Sequence, residues 1–354
     1  MVLSMEIQKM DVFFLIQKIW NNLDNISYIE IRGRRRRRVA KGEEILHIFP
    51  DYMRDKWGSV IKQADNLQEI RLRIGREVIV ILQNEEWYLS EDGQVTRQQE
   101  GACLMSERDM EAILNHICEY SVYAFADEIK QGFLTIPGGH RIGLAGQVIL
   151  QENNIIRNMK HISYMNIRIS HEIKGAADML LPYIYEEGRL LNALLISPPG
   201  CGKTTLLRDM IRQISDGNLY GKGMAVGVVD ERSEIAGSYL GRPQNDIGMR
   251  TDILDACPKV LGMMMLIRSM SPQAVAVDEL GCEEDMKAVY QVMQCGSKVI
   301  ATIHGDSLED VMNKSFLFDL KKNKSFGRYI LLEKVGGRCG IKAIYDRSFE
   351  LCYG

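Results

Sequence analysis

The sequence has no C-x-x-C pair, although eight cysteines are scattered at positions 103, 118, 201, 257, 282, 295, 339 and 352. The usual zinc and dithiol spacings are therefore missing. A chain of 354 residues needs no disulfide staples to hold a core, so reduced cysteines and a cytosolic setting are expected. The sequence also lacks any apolar run near the ~18 residues needed to span a bilayer. Val12–Trp20 comes nearest, but Gln17 and Lys18 interrupt it and no small-residue cleavage site follows, which argues against both a membrane helix and a secretory leader. Strong net charge is absent too. The formal balance is −3, which gives no global reason to expect nucleic acid or an anionic membrane as partner. There is no internal repeat, and histidines 47, 116, 140, 161 and 171 have no metal-like spacing and read as structural.

What is present looks like an ordinary soluble chain, 46% apolar and 26% charged, long enough for two domains of common size. Residues 1–42 stand apart as a variable or disordered extension. Phe13, Phe14, Ile16, Ile19 and Trp20 could line one face of a short amphipathic helix, and Arg34–Arg38 are five consecutive arginines. That run reads as a basic arm for phosphate or acidic lipid, as a solvated tail, or as a purine-rich ribosome-binding site translated in frame, with the true start near Val39. Residues 43–169 follow as an α+β region with a small sheet. EIRLRI and EVIVIL, separated by Gly75, predict paired strands within Leu67–Leu82. Ser106–Tyr120 opens with a capping box and continues with apolar residues at helical spacing.

From residue 170 onward the pattern alternates between strands and helices, as in a parallel sheet with crossovers. Ala193–Ile196, Ala225–Val229, Ala274–Val277 and Val299–Ile303 are the predicted strands. Met179–Glu186, Thr204–Ile214, Lys259–Ser269 and Glu283–Gln294 are the predicted helices, and Arg328–Ile344 reads as a terminal hairpin around Gly336-Gly337.

The most specific chemistry lies between the first of these strands and its helix, where ALLI runs into SPPGCGKTT and then LLRDMIRQI. Strand, glycine-rich turn and helix in that order make a phosphate-binding loop, here Ser197, Pro198, Pro199, Gly200, Cys201, Gly202, Lys203, Thr204 and Thr205. Backbone N–H groups at a helix start converge on phosphate oxygens, assisted by the helix dipole. Lys203 would reach the β- and γ-phosphates of ATP, and the Thr204 hydroxyl would complete the shell of a Mg²⁺ ion. The loop departs from the common pattern in opening with Ser197 where glycine is usual. Ala274–Val277 ends in Asp278-Glu279, 75 residues beyond Lys203. Asp278 is the expected holder of the magnesium water shell and Glu279 the base that polarises the attacking water, a pairing that small-molecule kinases do not need. Two further strands end in polar groups, Asp230-Glu231-Arg232 and Thr302-Ile303-His304, and belong at the same carboxyl edge, with His304 placed to sense phosphate.

With SPPGCGKT, VVDER, AVAVDE and ATIHG in this order, the chain resembles the secretion-type ATPases that power type II and type IV secretion and pilus motors. IRISHEIKGAAD, PQNDIGMRTDILDACPK and MMMLIRSMSP point to the sporulation branch of that family, which serves the channel between mother cell and forespore. The resemblance covers residues 43–350. It implies an α/β fold, with a RecA-like P-loop core over residues 170–354 behind a smaller α+β domain. It also implies a Mg-dependent ATPase acting as a homo-oligomer, a hexameric ring, docked on membrane-embedded channel or secretion-complex proteins. Such an ATPase would sit on the cytosolic face in the mother cell, without inserting into the membrane or holding nucleic acid stably. Glu231 would help to hold magnesium or water, and an arginine from a neighbouring subunit would complete each site, drawn from Arg232, Arg250, Arg268, Arg141 and Arg168. A nucleic-acid-stimulated motor with the same core and a nucleotide-gated scaffold are the competing readings.

Overall fold

In the computed structural model, residues 41–151, 156–317, 324–335 and 338–354 are described. The Phe13–Trp20 stretch, the Arg34–Arg38 run and the Gly336-Gly337 turn lie outside them.

Seven strands make the first sheet: β1 (Leu67–Arg73), β2 (Ile79–Leu82), β3 (Glu85–Leu89), β4 (Val95–Thr96), β5 (Phe133–Ile136), β6 (His140–Leu150) and β7 (Ile156–Arg168), in the order 4-3-2-1-7-6-5. All of its pairings are antiparallel. EIRLRI and EVIVIL pair as expected, Ile70 opposite Val80. The sheet is larger than the sequence suggested, because β3 and β4 carry charged and polar residues at an edge where alternation is weak. Its apolar face packs on α1 (Arg54–Ile61) and α2 (Glu107–Ile117) through Trp57, Val60, Met110 and Ile113. Trp57 stacks on Phe49 with ring centroids 3.8 Å apart. Ser106 caps α2 by accepting from the Asp109 N–H, which satisfies one of the helix's orphan donors.

The second sheet has eight strands: β8 (Ala193–Ser197), β9 (Val226–Asp230), β10 (Thr251–Asp255), β11 (Ala274–Val277), β12 (Lys298–His304), β13 (Arg328–Val335), β14 (Arg338–Asp346) and β15 (Leu351–Tyr353). Their order is 10-9-11-12-8-13-14-15; the first six are parallel and the last two antiparallel. α3 (Lys203–Asp216) lies on one face, and α4 (Lys259–Ser269) and α5 (Glu283–Gln294) on the other. β8 explains the layering: Leu195 faces α3's Leu207 and Ile211, whereas Leu194 and Ile196 join the core of Met263 and Val289. All five β8 residues are buried, as a strand covered on both faces must be.

One expected helix fails. Met179–Glu186 is helical only over Leu181–Ile184, and Tyr185–Glu186 leaves it to pair with Arg189–Leu190. Pro182 sits in that single turn, and Gly188 takes a left-handed φ of 77° between the two short strands, so the chain reverses rather than continuing as a helix. The predicted strands each appear, shifted by a residue or two at their ends, and α4 and α5 have the expected bounds. β10 was not foreseen.

The two sheets meet where β6 and β7 pair Arg141 with Arg168. There the Arg141 guanidinium forms an ion pair with Glu234 and lies 3.7 Å over the Phe133 ring. Gly138 N–H donates to the Gln244 side chain at 3.2 Å.

Candidate functional site

Register brings the site together. β8 and β12 run parallel with Ser197 opposite His304, and Val277 of β11 stands opposite Ala301. Ser197, Asp278 and His304 therefore emerge side by side at the carboxyl edge, and Asp230 ends β9 at the same edge, with Val229 opposite Val277. The loop after β8 turns through Gly200 (φ 69°) and Gly202 (φ 98°) before α3 begins at Lys203. Those left-handed values are open to glycine at little cost and strained for other residues. The Gly305 N–H closes the strand ends on the Ser197 carbonyl at 3.1 Å.

Lys203 is 6% exposed, and its ammonium lies 2.8 Å from His304 Nδ1. Burial pushes it below the ordinary lysine range, with Asp278 and Glu279 opposing that shift. His304 Nε2 lies 3.0 Å from Glu279 Oε1, and Arg232 Nη1 lies 2.8 Å from Glu279 Oε2. With the ring proton on Nε2, His304 accepts from Lys203 and donates to Glu279, so one chain of contacts links four of the expected residues. Burial raises the Glu279 carboxyl, but Arg232, His304 and Lys203 outweigh burial and hold it below the usual range.

A second cluster adjoins the first. Thr204 Oγ1 donates to Asp278 at 3.0 Å, and the fully buried Thr302 hydroxyl donates to the other Asp278 oxygen. Thr302 Oγ1 also accepts the Glu279 N–H at 2.8 Å. Glu279 adopts φ 49°, an uncommon conformation for a non-glycine residue, and its backbone is held there by this bond and by the Leu280 N–H to the Thr302 carbonyl. Thr204 and Asp278 thus offer a hydroxyl and a carboxylate oxygen side by side. Mg²⁺ usually takes one or two such protein ligands and fills its octahedron with water and phosphate oxygens, so this donor set fits it. Among the described residues no group of three or more His, Cys, Asp or Glu could hold a metal ion.

The remaining predicted residues are placed less uniformly. Glu231 lines the same small recess as Asp230, Arg232, Asp278 and Glu279, and is paired with Lys259. Arg141 and Arg168 face a 190 Å³ cleft with Ser233 and Glu234, which belong to the site loop that follows Arg232. Arg250 is not brought in: its guanidinium donates to the Ser215 carbonyl at 2.9 Å, near the far end of α3. Arg268 is exposed in the last turn of α4.

Two contributors, Arg208 and Lys314, were missed in the sequence, and Asp230 was placed at the sheet edge without the role it has there. Arg208 is buried and donates to the carbonyls of Glu234 and Ile235, while Asp230 accepts N–H groups from Glu234, Ile235 and Ala236. Together they fix the 231–236 segment against α3. Burial pushes Asp230 up to about 6 in spite of those N–H bonds. Lys314 donates to the His304 carbonyl. Arg208 lies five residues after Lys203, beside the likewise buried Asp209 within LLRDMI, and a charged pair inside that apolar run is the one signal the sequence offered.

The model of the family described as "Sporulation stage III, protein AA" matches residues 39–351. Stage III sporulation protein AA of Bacillus subtilis (strain 168) is 41% identical over 306 residues, spanning 86% of this chain and 95% of the relative. Protein SEEDLING PLASTID DEVELOPMENT 1 of Arabidopsis thaliana is 24% identical over 72% of this chain and 32% of its own length. Among solved structures, the ATPase DotB of Legionella pneumophila superposes with TM-score 0.54 at 14% identity, covering 84% of this chain and 81% of DotB. The pilus retraction motor PilT, solved with bound ADP, superposes with TM-score 0.54 at 15% identity, covering 83% and 81%.

Proposed function

The chain belongs to the sporulation stage III protein AA family, and from that premise we propose that it is a Mg-dependent ATPase that drives assembly or transport at a sporulation channel. Its fold is the RecA-like α/β fold of secretion ATPases, with an N-terminal part ahead of the core.

The observation that carries the reading is the meeting of Lys203, His304 and Glu279 beside the Thr204–Asp278 pair at one sheet edge. In this account ATP enters over the loop amides of residues 200–204. Lys203 leaves His304 for the β- and γ-phosphates, gaining a stronger charge-assisted contact than the imidazole gives. Thr204 and Asp278 would hold Mg²⁺, which when bound neutralises charge on the phosphates. Glu279, kept ionised by Arg232, takes the proton of the attacking water. His304, released by Lys203 and still touching Glu279, reports the state of the phosphate to that base. Glu231 supports the water and metal shell from the edge of the recess.

The two parts, residues 43–169 and 170–354, move relative to each other as nucleotide comes and goes. The Arg141–Glu234 ion pair links the site loop to the first sheet. Subunits form a ring, hexameric as in secretion motors, with an exposed arginine such as Arg268 or Arg168 offered to the neighbouring site. No helix among the described residues is long and apolar enough to cross a membrane, in keeping with peripheral docking on the cytosolic face of the mother-cell membrane complex.

Phosphate release by the purified chain with ATP and Mg²⁺ tests the reaction. Glu279→Gln should retain nucleotide while turnover stops, which also makes it the bait for capturing the docking protein from sporulating cells. Unchanged turnover in Glu279→Gln would remove the base from the mechanism.

A further inference from the structure

The phosphate loop carries a thiol with a partner. Cys201 Sγ lies 3.7 Å from Cys339 Sγ, although 138 residues separate them. The topology explains the meeting. β13 runs parallel to β8 as far as Leu331, opposite Ile196, then continues four residues further to Val335. β14 returns beside it with Cys339 opposite Lys334. This hairpin therefore rises past the end of β8 and flanks the loop. Contact extends to the next residue, since a Cβ on Gly202 would lie 3.2 Å from the Cys339 Cβ. Cys201 is buried in the core beneath α3, whereas Cys339 is half-buried and reachable from solvent.

We infer that Cys201 and Cys339 form a reversible thiol modification site, in which a low-molecular-weight disulfide joins the two sulfurs and so disables the phosphate loop. The loss of nucleotide affinity rests on the ATP-site reading above; formation of the bond does not. In the first step the Cys339 thiolate attacks one sulfur of the small disulfide, forming a mixed disulfide and releasing one small thiol. The Cys201 thiolate then attacks the Cys339 sulfur, forming the Sγ–Sγ bond and releasing the second small thiol. The protein pair is oxidised by two electrons, the small disulfide is reduced to two thiols, and the two protein protons leave with them. Burial, then the neighbouring Cys201, pushes the Cys339 thiol up to about 12, which lowers its thiolate fraction and slows the first attack. Closing the sulfurs from 3.7 Å to a bond of about 2.05 Å draws Cys201 toward β14. The amides on either side of it must converge on phosphate, so the shift draws them off the oxygens they would bind.

The test uses the full chain, equilibrated with oxidised glutathione and mapped without reduction by peptide mass spectrometry, alongside binding of a fluorescent ATP analogue with Mg²⁺. A Cys201–Cys339 linked peptide should accumulate, with affinity falling on the order of tenfold or more and returning on addition of dithiothreitol. Cys339→Ser, or Cys339→Ala should the serine variant fold poorly, should keep its reduced-state affinity under the same oxidation. Two results would overturn the inference: mixed disulfides at the exposed Cys282, Cys295 and Cys352 without the linked peptide, or the linked peptide with affinity unchanged. If the reduced protein binds no nucleotide, the ATP-site reading fails, while the peptide map still decides whether the two sulfurs pair.

Discussion

Replacing Thr302 by valine separates shape from hydrogen bonding at the centre of the site. The side chain is fully buried, and its hydroxyl donates to Asp278 and accepts from the Glu279 N–H. Valine fills nearly the same volume, so it creates no cavity. It does remove a hydrogen bond to a carboxylate, a loss of about 1.5–3 kcal/mol. The Glu279 N–H retains Asp278 Oδ1 at 3.0 Å, which limits the further penalty. The expected cost of Thr302→Val is therefore about 2–3 kcal/mol. Thr302→Ser keeps the hydroxyl and loses one methyl group, a cost of about 1 kcal/mol. Urea unfolding of the three proteins, at equal slope, reads the difference directly. A functional readout accompanies it. Asp278 loses its orienting partner in the valine variant, so Mg-dependent nucleotide affinity should fall on the order of 10–100-fold, but much less in the serine variant. A valine variant as stable as the serine variant, with unaltered affinity, would refute the role given to this hydroxyl.

Three other outcomes are expected. Asp230 holds its proton more tightly in the folded chain, near 6, than its ordinary value of 3.8. The unfolded chain therefore binds fewer protons between those values, and stability falls as pH rises through that window. Relative to Asp230→Asn the wild type should lose roughly 2 kcal/mol between pH 4 and pH 7; parallel stability profiles would contradict this. Arg232→Ala removes the strongest group holding the Glu279 carboxyl down, so the acidic limb of the turnover–pH curve should move to higher pH, and an unmoved limb would show that Glu279 is not the titrating base. Gly262 sits in α4 where a Cβ would lie 2.5 Å from Val229 Cγ1, so Gly262→Ala should cost about 1–3 kcal/mol in thermal or urea unfolding despite alanine's better helix propensity.

Legibility in the sequence followed burial. β8, β11 and α4 could be drawn almost to the residue because each is an apolar stretch bounded by polar, proline or glycine residues, and α5 because an acidic first turn precedes apolar residues at helical spacing. β10 escaped because it is an edge strand reading TDILD, whose two acids contradict the usual strand pattern. The 179–186 helix was over-read because its apolar residues are used by a single turn and a reversal packed under α3. At the candidate site, the motif spacing located every strand end that converges there. The contacts among those ends were hidden. His304 was expected to sense phosphate, and the bridge its imidazole makes between Lys203 and Glu279 could not be read from spacing. Arg208 and Asp230 bind backbone groups of a segment 27 residues or less away, a relation that no residue type announces. The Cys201–Cys339 contact arises only from the overrun of β13 beyond β8.

The central claim is that Lys203, with Thr204 and Asp278 beside it, grips the terminal phosphate and its metal. Calorimetric titration of the folded full chain with a non-hydrolysable ATP analogue and Mg²⁺, repeated on Lys203→Ala, tests it most directly. The account predicts one site per chain in the wild type and affinity reduced on the order of 100-fold or more in the variant, through loss of a charge-assisted phosphate contact. Absence of binding to the wild type, or equal binding by Lys203→Ala, would contradict it.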